Sequence, residues 1–441
     1  MSGWALSGRL PALLARSPGL HRLFLRLGRS RAVDHLLDWV AWSAVRAMGV
    51  GRLDYERLAD RHICVTLAGE EGVSADMDSQ VTAVVAATPA GRHKVARALR
   101  NLESLAPEVR AGLLKTWIHL VAVTSPSRDA HYLRGGGGPL WNRRPMDVIV
   151  APFVGCQQGC RGCYSQGDRN DGHTDAGRLR AVASQLRDLD VYNVLLVGRG
   201  EPFFDDRGRA ALFSTAKRYP QMFFTVYTNG LGLTDRDLDD LKAHPNILPF
   251  LSIDGPAAIN DWRRGAGVYD RVLGVMRRMR ERGQFFGYIC TVFSQNHEAV
   301  ADPLFIGQMA AEGCQIGFYS LFVSTPGVSG EGMMLDRASR ERYLATIRRI
   351  ETQVPIPLID IDGLEAGFGC RARRSVTLYV DAVSGQVSPC IRAAITDERC
   401  RLGTPGQGGR RLADILSSEA FRAARDRLPE SGTCVAFAKA S

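Results

Sequence analysis

The chain has 441 residues, of which 45% are hydrophobic and 23% charged, and a formal net charge of +10. That length suggests two or three domains rather than one, and the composition excludes a disordered or fibrous chain in favour of a globular one with ample core. No apolar run approaches the roughly 20 residues that a bilayer span requires; Leu36–Val45 comes nearest and is interrupted by Asp38.

The charge is uneven. Arg9, Arg16, Arg22, Arg26, Arg29 and Arg31 all precede the first acid, Asp34, so the remainder is only mildly basic. Basic clusters with interleaved aromatics, the mark of a nucleic-acid surface, are not a feature of that remainder, and no nucleic-acid partner is expected. The n-region, h-region and cleavage-site order of a secretory signal is absent. Ten cysteines in such a chain point to a reducing, cytoplasmic setting, where clustered thiols mean metal or catalysis more often than disulfides.

Residues 1–126 read as a helical N-terminal domain. From Asp34 to Met48, Leu37, Val40, Ala41 and Ala44 share one face, with Trp39 and Trp42 beside them. Upstream, Leu20, Leu23, Phe24 and Leu27 stand opposite Arg22, Arg26 and Arg29. Two readings are open: a helical domain packed on the core, or a basic amphipathic segment (residues 1–50) lying on an anionic membrane surface. Residues 127–145 read as a linker, with four glycines from Gly135 to Gly138 followed by Pro139.

After Pro145 strands and helices alternate. Strands are expected at Asp147–Phe153, Val191–Val197, Phe223–Thr228, Ile247–Ile253, Phe286–Phe293 and Gln315–Phe322. The helices between them include one capped by Thr174 and Asp175, one at Arg207–Arg218, and one opened by a Thr234/Asp237 capping box. Tyr269–Arg282 and His297–Glu312 complete the series. Six βα repeats imply an α/β fold, a partial (βα)6 TIM-like barrel over residues 146–325, with chemistry at the carboxyl ends of the strands. Those ends carry Gly198-Arg199-Gly200-Glu201-Pro202, Thr228-Asn229-Gly230, Ser252-Ile253-Asp254-Gly255-Pro256 and Ser294-Gln295-Asn296. So many polar groups on one rim are costly to leave unpaired and predict a ligand site.

The first strand leads into Gly155-Cys156-Gln157-Gln158-Gly159-Cys160-Arg161-Gly162-Cys163-Tyr164, three cysteines spaced C-x3-C-x2-C. Three thiolates suit a thiophilic centre, iron–sulfur or zinc. His173 would complete a structural Cys3His zinc site. Against zinc stands the position of the loop at the catalytic rim, where an open metal coordination site is useful.

With these segments in this order, residues from Met146 onward resemble the radical S-adenosylmethionine (SAM) enzymes. The resemblance implies a [4Fe–4S] cluster on Cys156, Cys160 and Cys163, with Tyr164 as the nearby aromatic residue. Its free iron would chelate the amino and carboxylate groups of S-adenosylmethionine. Reductive cleavage of the sulfonium would release a 5′-deoxyadenosyl radical, fed by an electron donor such as flavodoxin or ferredoxin. Gly200 and Glu201 resemble the segment that holds the methionine amino group, although Arg199 stands where a glycine is usual. Thr228 and Asn229 resemble the groups that meet ribose or carboxylate. Ser252 and Asp254 resemble the fourth-strand segment of the branch that modifies peptides and sulfatases. Arg264 is expected either to pair the cofactor carboxylate or to form a salt bridge with Asp261.

Residues 326–441 resemble a SPASM or twitch extension, a small α+β unit. Cys370-x14-Gly385-x4-Cys390 matches its opening, with strands at Val376–Val380 and Gln386–Ser388. The dense later cysteine block of a full SPASM domain is missing. Cys370, Cys390, Cys400 and Cys434 could hold one auxiliary cluster, or the extension could be a cluster-free remnant. Cys64, Cys290 and Cys314 are expected to be buried small hydrophobes. Tyr319, Asp336 and Asp360 lie in the region where a second electron- or proton-handling group would stand. The substrate classes left open are a peptide or protein side chain, and a lipid or small metabolite at a membrane surface; a non-catalytic zinc- or cluster-binding scaffold is the third reading.

Overall fold

In the computed structural model the described residues are 9–49, 97–98, 100–120, 127, 145, 147–165, 173–325, 328, 330–362, 370–373, 377–403, 411–429 and 434. The glycine run of the expected linker and Cys64 lie outside them. The N-terminal part forms α1 (Arg9–Arg16), α2 (Pro18–Gly28), α3 (Arg31–Gly49) and α4 (Pro107–His119). The strands β1 (Asp147–Ala151), β2 (Asn193–Leu196), β3 (Phe223–Thr228), β4 (Ile247–Ser252), β5 (Gly287–Val292) and β6 (Gly317–Leu321) follow, with helices between them. They pair in parallel, each with the next, as a partial barrel requires.

Period-2 patterning explains the two sides of this sheet. Val148, Val150, Val194, Leu196, Phe224 and Val226 are fully buried and pack under the outer helices. The alternate residues, Ile149, Leu195, Tyr227, Ile289 and Phe318, face the barrel interior and line a cavity at its mouth. Local chemistry sets the helix ends. Thr234 and Asp237 form the expected capping box. Asp175 caps Ala176–Asp188, whereas Thr174 is diverted and accepts a hydrogen bond from Val154 N at 3.0 Å. The helix expected at His297–Glu312 splits into His297–Val300 and Pro303–Ala311, because Pro303 lacks an N–H and Asp302 caps a fresh start.

The sheet is larger than six strands. A three-residue strand, β7 (Leu358–Asp360), extends it beside β6. At the other edge β8 (Thr377–Asp381) pairs in parallel with β1 over its whole length, and β9 (Val387–Ser388) closes the expected hairpin. The order is β7-β6-β5-β4-β3-β2-β1-β8-β9. The C-terminal hairpin thus continues the barrel sheet and satisfies the outer edge of β1, which would otherwise present unpaired backbone groups.

Helix α4 covers the amino-terminal end of the barrel. Leu105, Val109 and Leu113 pack on Phe223, Leu248 and Phe285 at the starts of successive strands. Its Gly112 lies so close to Pro245 that a Cβ there would run into the proline ring. Although alanine is the better helix former, Gly112→Ala is expected to destabilise the protein by about 1–3 kcal/mol, read as a lower urea midpoint. A midpoint at or above that of the wild type would show that α4 shifts freely on the barrel.

Candidate functional site

The cysteine loop is held from three sides. Gly155 has φ of 84° and Gly162 φ of 68°, the left-handed region where glycine is at ease. Added Cβ atoms would also meet the rings of Phe204 and Phe322 at 2.5 and 2.6 Å. The loop after β2 docks against it backbone to backbone. A Cβ on Gly200 would stand 2.7 Å from the main chain of Phe153 and Val154, and Glu201 N donates to Gly155 O at 2.8 Å. From the third side Arg161 N donates to Arg263 O at 2.9 Å, and the Arg161 guanidinium lies 5.1 Å over the Trp262 ring.

Cys156, Cys160 and Cys163 are half-buried and all line a cavity of about 310 Å³ at the strand carboxyl ends. The Cys156 sulfur accepts weak hydrogen bonds from Gln158 N at 3.5 Å and Asn229 Nδ2 at 3.7 Å. Among the described residues no three His, Cys, Asp or Glu side chains converge on one point as a single bound ion would require. His173 is exposed and is not on the cavity wall. Three thiols on one cavity wall with no histidine beside them could hold a polynuclear cluster, in which each sulfur takes its own iron.

A carboxyl group and a guanidinium share the cavity wall with the thiols. Glu201 is buried, and its carboxylate accepts from Thr228 Oγ1 at 2.5 Å, Asn229 N at 2.7 Å and Phe203 N at 3.2 Å. Burial raises its pKa from the ordinary 4.5 to about 7, while the Asn229 and Thr228 hydrogen bonds and, more weakly, Arg264 pull it back. The side chain of Arg264 is only 8% exposed. Burial alone would lower its pKa, but the Asp254 carboxylate and then the Cys160 thiol outweigh that and raise it, so the guanidinium stays charged.

Tyr164, Gly200, Glu201, Thr228, Asn229, Ser252 and Arg264, singled out in the sequence, all lie on the cavity wall. Asp254 does not: it is wholly buried behind it. Its Oδ2 takes Arg263 Nη1 at 2.5 Å and Arg264 Nε at 2.6 Å, and its Oδ1 takes Thr291 N at 2.9 Å. It therefore positions Arg264 instead of facing a ligand. The alternative partner, Asp261, is occupied elsewhere by Gly267 N and Tyr269 N.

Tyr319 is buried against Tyr288, Asp336 caps Arg337–Ile350, and Asp360 accepts from Asp362 N; none of the three lines the cavity. Cys290 and Cys314 are buried, and burial pushes both thiols up. Cys370, Cys390 and Cys400 gather round one small apolar cluster with Ala372, Ala393 and Ala424, while Cys434 packs on the main core. Cys400 is buried and its S–H donates to Ala424 O at 3.8 Å, the behaviour of a protonated thiol more than of a ligand.

Sequence reading missed the contribution of the C-terminal segment to this wall. Ile391, Arg392 and Ile395, on the helix Ile391–Thr396, line the cavity. Arg392 bridges to Asp362 at 2.6 and 3.0 Å and to Ser320 Oγ at 3.1 Å. The signal available was Arg392 lying two residues past Cys390. A second tie runs from Arg199 Nη1 to Asp381 Oδ2 at 3.0 Å. Arg199 does adopt the left-handed conformation of a glycine, with φ of 56°, and the ion pair and a hydrogen bond from its N–H to Ser165 Oγ at 3.0 Å offset the strain.

Residues 150–302 match the family model described as the Radical SAM superfamily. Over 152 residues the chain is 28% identical to an uncharacterized protein of Methanothermobacter thermautotrophicus, a match covering 33% of this chain and 57% of that protein, so it spans little more than half of the relative. Among solved structures, Streptococcus suis SuiB bound to S-adenosylmethionine superposes with a TM-score of 0.56 at 15% identity, covering 77% of this chain and 86% of that one. SuiB bound to the precursor peptide SuiA gives 0.53 at 15% identity, covering 72% and 71%. Native anSMEcpe with bound AdoMet and Kp18Cys peptide gives 0.50 at 14% identity, covering 63% and 82%. At these identities the likeness is one of fold.

Two outcomes test the electrostatics of the wall. Glu201 holds its proton more tightly folded than unfolded, so its contribution to stability is fully present below its ordinary pKa of 4.5 and is lost as pH rises through about 7. The decline in urea midpoint across that interval should be shallower in Glu201→Gln than in wild type; equal slopes would show that Glu201 titrates normally. At the neighbouring strained position, Arg199→Ala should be less stable than Arg199→Gly by about 1–2 kcal/mol, since only glycine is relieved of the left-handed strain. Equal stabilities would mean that the backbone relaxes once the ion pair is gone.

Proposed function

From the match of residues 150–302 to the radical SAM family model we propose that the chain holds a [4Fe–4S] cluster on Cys156, Cys160 and Cys163, binds S-adenosylmethionine beside it, and modifies a peptide or protein side chain. The observation that carries the reading is the meeting, on one cavity wall, of three thiols with a buried carboxyl and a buried guanidinium. An amino acid zwitterion presents the complementary pair of charges. When bound, the cluster and S-adenosylmethionine supply reductive cleavage of the sulfonium and a 5′-deoxyadenosyl radical able to abstract a hydrogen atom.

The chain's own residues do the positioning. Glu201, held by Thr228 and Asn229, would accept the methionine ammonium, which would draw its pKa down from about 7 and keep it ionised in the complex. Arg264, fixed through Nε by Asp254, would turn its remaining N–H groups to the carboxylate. Ile289, Phe318, Ile361, Ile391 and Ile395 give the rest of the cavity an apolar lining that excludes water from a reactive carbon centre.

A peptide substrate is favoured because the C-terminal segment forms one wall of the cavity, and because SuiB, a protein of similar fold, has been captured with the precursor peptide SuiA. A lipid or small metabolite has less support, since the N-terminal helices attach at the opposite end of the barrel. A flavodoxin or ferredoxin would supply the electron. An auxiliary cluster on Cys370, Cys390, Cys400 and Cys434 is the least supported part, because Cys400 is engaged with Ala424 O. No described helix is long and apolar enough to cross a membrane.

The test is anaerobic reconstitution of the whole chain with iron and sulfide. Replacing Cys156, Cys160 and Cys163 by alanine should remove about four irons per chain and abolish 5′-deoxyadenosine release under dithionite. Unchanged iron would overturn the ligation. Iron that survives the replacement reports on the second cysteine set.

A further inference from the structure

We propose that the outward face of the N-terminal helices is a docking surface for an anionic lipid bilayer, which the protein contacts peripherally. The helices are not a loose arm. Ser127 Oγ donates to Asp190 Oδ2 at 2.9 Å, so the contact of 2.7 Å between His21 Nε2 and Ser127 Oγ is a donation from the imidazole. Arg29 reaches Asp190 at 3.6 Å and Arg187 O at 3.3 Å. Leu37, Ala41 and Val45 of α3 are buried, the last two against Ala111 and Leu114 of α4. This chain of contacts fixes which face points away from the barrel.

That outer face is apolar where a water-facing surface should not be. On α2, Leu20, Leu23 and Leu27 recur at i, i+3 and i+7, with Leu27 55% exposed. On α3, Leu36, Trp39 and Trp42 recur at every third residue and are exposed as well, Trp39 by 65%. The sequence left two readings open for the leucine stripe; it is turned outward, and His21 and Gly28 are the buried residues of α2. Scattered exposed leucines mean little, but a stripe of leucines and tryptophans on consecutive helices marks an interaction site.

Charge selects the occupant. Arg16, Arg22, Arg26, Arg31 and Arg46 are exposed on the same helices, and among the described residues none of them has an acidic partner. The two acids at the start of α3, Asp34 and Asp38, are both taken up by Lys115, at 2.8 and 2.9 Å. What remains is exposed leucine and tryptophan together with unpaired arginine, the make-up of a segment that buries its apolar side at the headgroup boundary of a negatively charged bilayer. Tryptophan is favoured at that depth. Gly28, Arg29 and Asp34 share a cleft with Pro220, Gln221, Pro245 and Asn246, just ahead of β3 and β4, so a bilayer on this face leaves the cavity mouth pointing into water.

The test uses the whole chain and extruded vesicles, either phosphatidylcholine alone or phosphatidylcholine with about 30 mol% phosphatidylglycerol. Co-sedimentation with the anionic vesicles, lost with neutral ones and weakened by high salt, is the expected result. Trp39→Ser/Trp42→Ser and, separately, Arg22→Glu/Arg26→Glu should each weaken it about tenfold, with circular dichroism and 5′-deoxyadenosine release unchanged. Failure to sediment with either vesicle, or variants that sediment like wild type, overturns the proposal. So does a dimer, seen by sedimentation velocity, that Trp39→Ser/Trp42→Ser converts to monomer, because the face would then belong to a second copy.

Discussion

The site depends on one close approach. Gly200 brings the backbone of the second strand's loop against the backbone of Phe153 and Val154, and Glu201 N–H locks it there on Gly155 O. No side chain fits between them. The contact sets where the cysteine loop can lie, and through Glu201 it sets where the acid of the cavity stands relative to the thiols. The hydrogen bonds from Thr228 and Asn229 then carry the same constraint to the third strand, and Arg264 on its Asp254 anchor adds the fourth. Each of these charged groups is costly to bury alone. Together they are tolerable because each is paired or hydrogen-bonded before any ligand arrives.

Much of this was legible in the chain. The cysteine spacing, the six-fold alternation and the order of the rim segments needed only local patterns, and the Thr234/Asp237 capping box was visible as a pair of residues three apart. What was hidden was tertiary. That Arg264 turns to Asp254 and not to Asp261 depends on the path of Ala257–Arg264, a short helix between Pro256 and Gly265 that carries little periodic signal. The strand Leu358–Asp360 is too short to show alternation. The leucine stripe of Pro18–Gly28 was seen, but its direction was not, because amphipathicity gives two faces without saying which the barrel takes.

The C-terminal segment illustrates the same limit on a larger scale. Its hairpin was readable from Val376–Val380, Gly385 and Gln386–Ser388, yet pairing of Thr377–Asp381 with the first strand leaves no local mark. Two ion pairs then stitch it to the rim, Arg199 to Asp381 and Arg392 to Asp362. The arginine that departs from the expected glycine is thereby explained. It gives up backbone ease for a partner on a strand that the local segment does not contain.

The partnership of Asp147–Ala151 with Thr377–Asp381 also orders events in time. During synthesis the first strand emerges long before its neighbour on one side. Such distant pairings form late, after most of the loop entropy has been spent. Until Thr377–Asp381 has docked, the sulfur-bearing loop hangs from a strand with one open edge, and the cavity wall is completed only when that distant segment arrives.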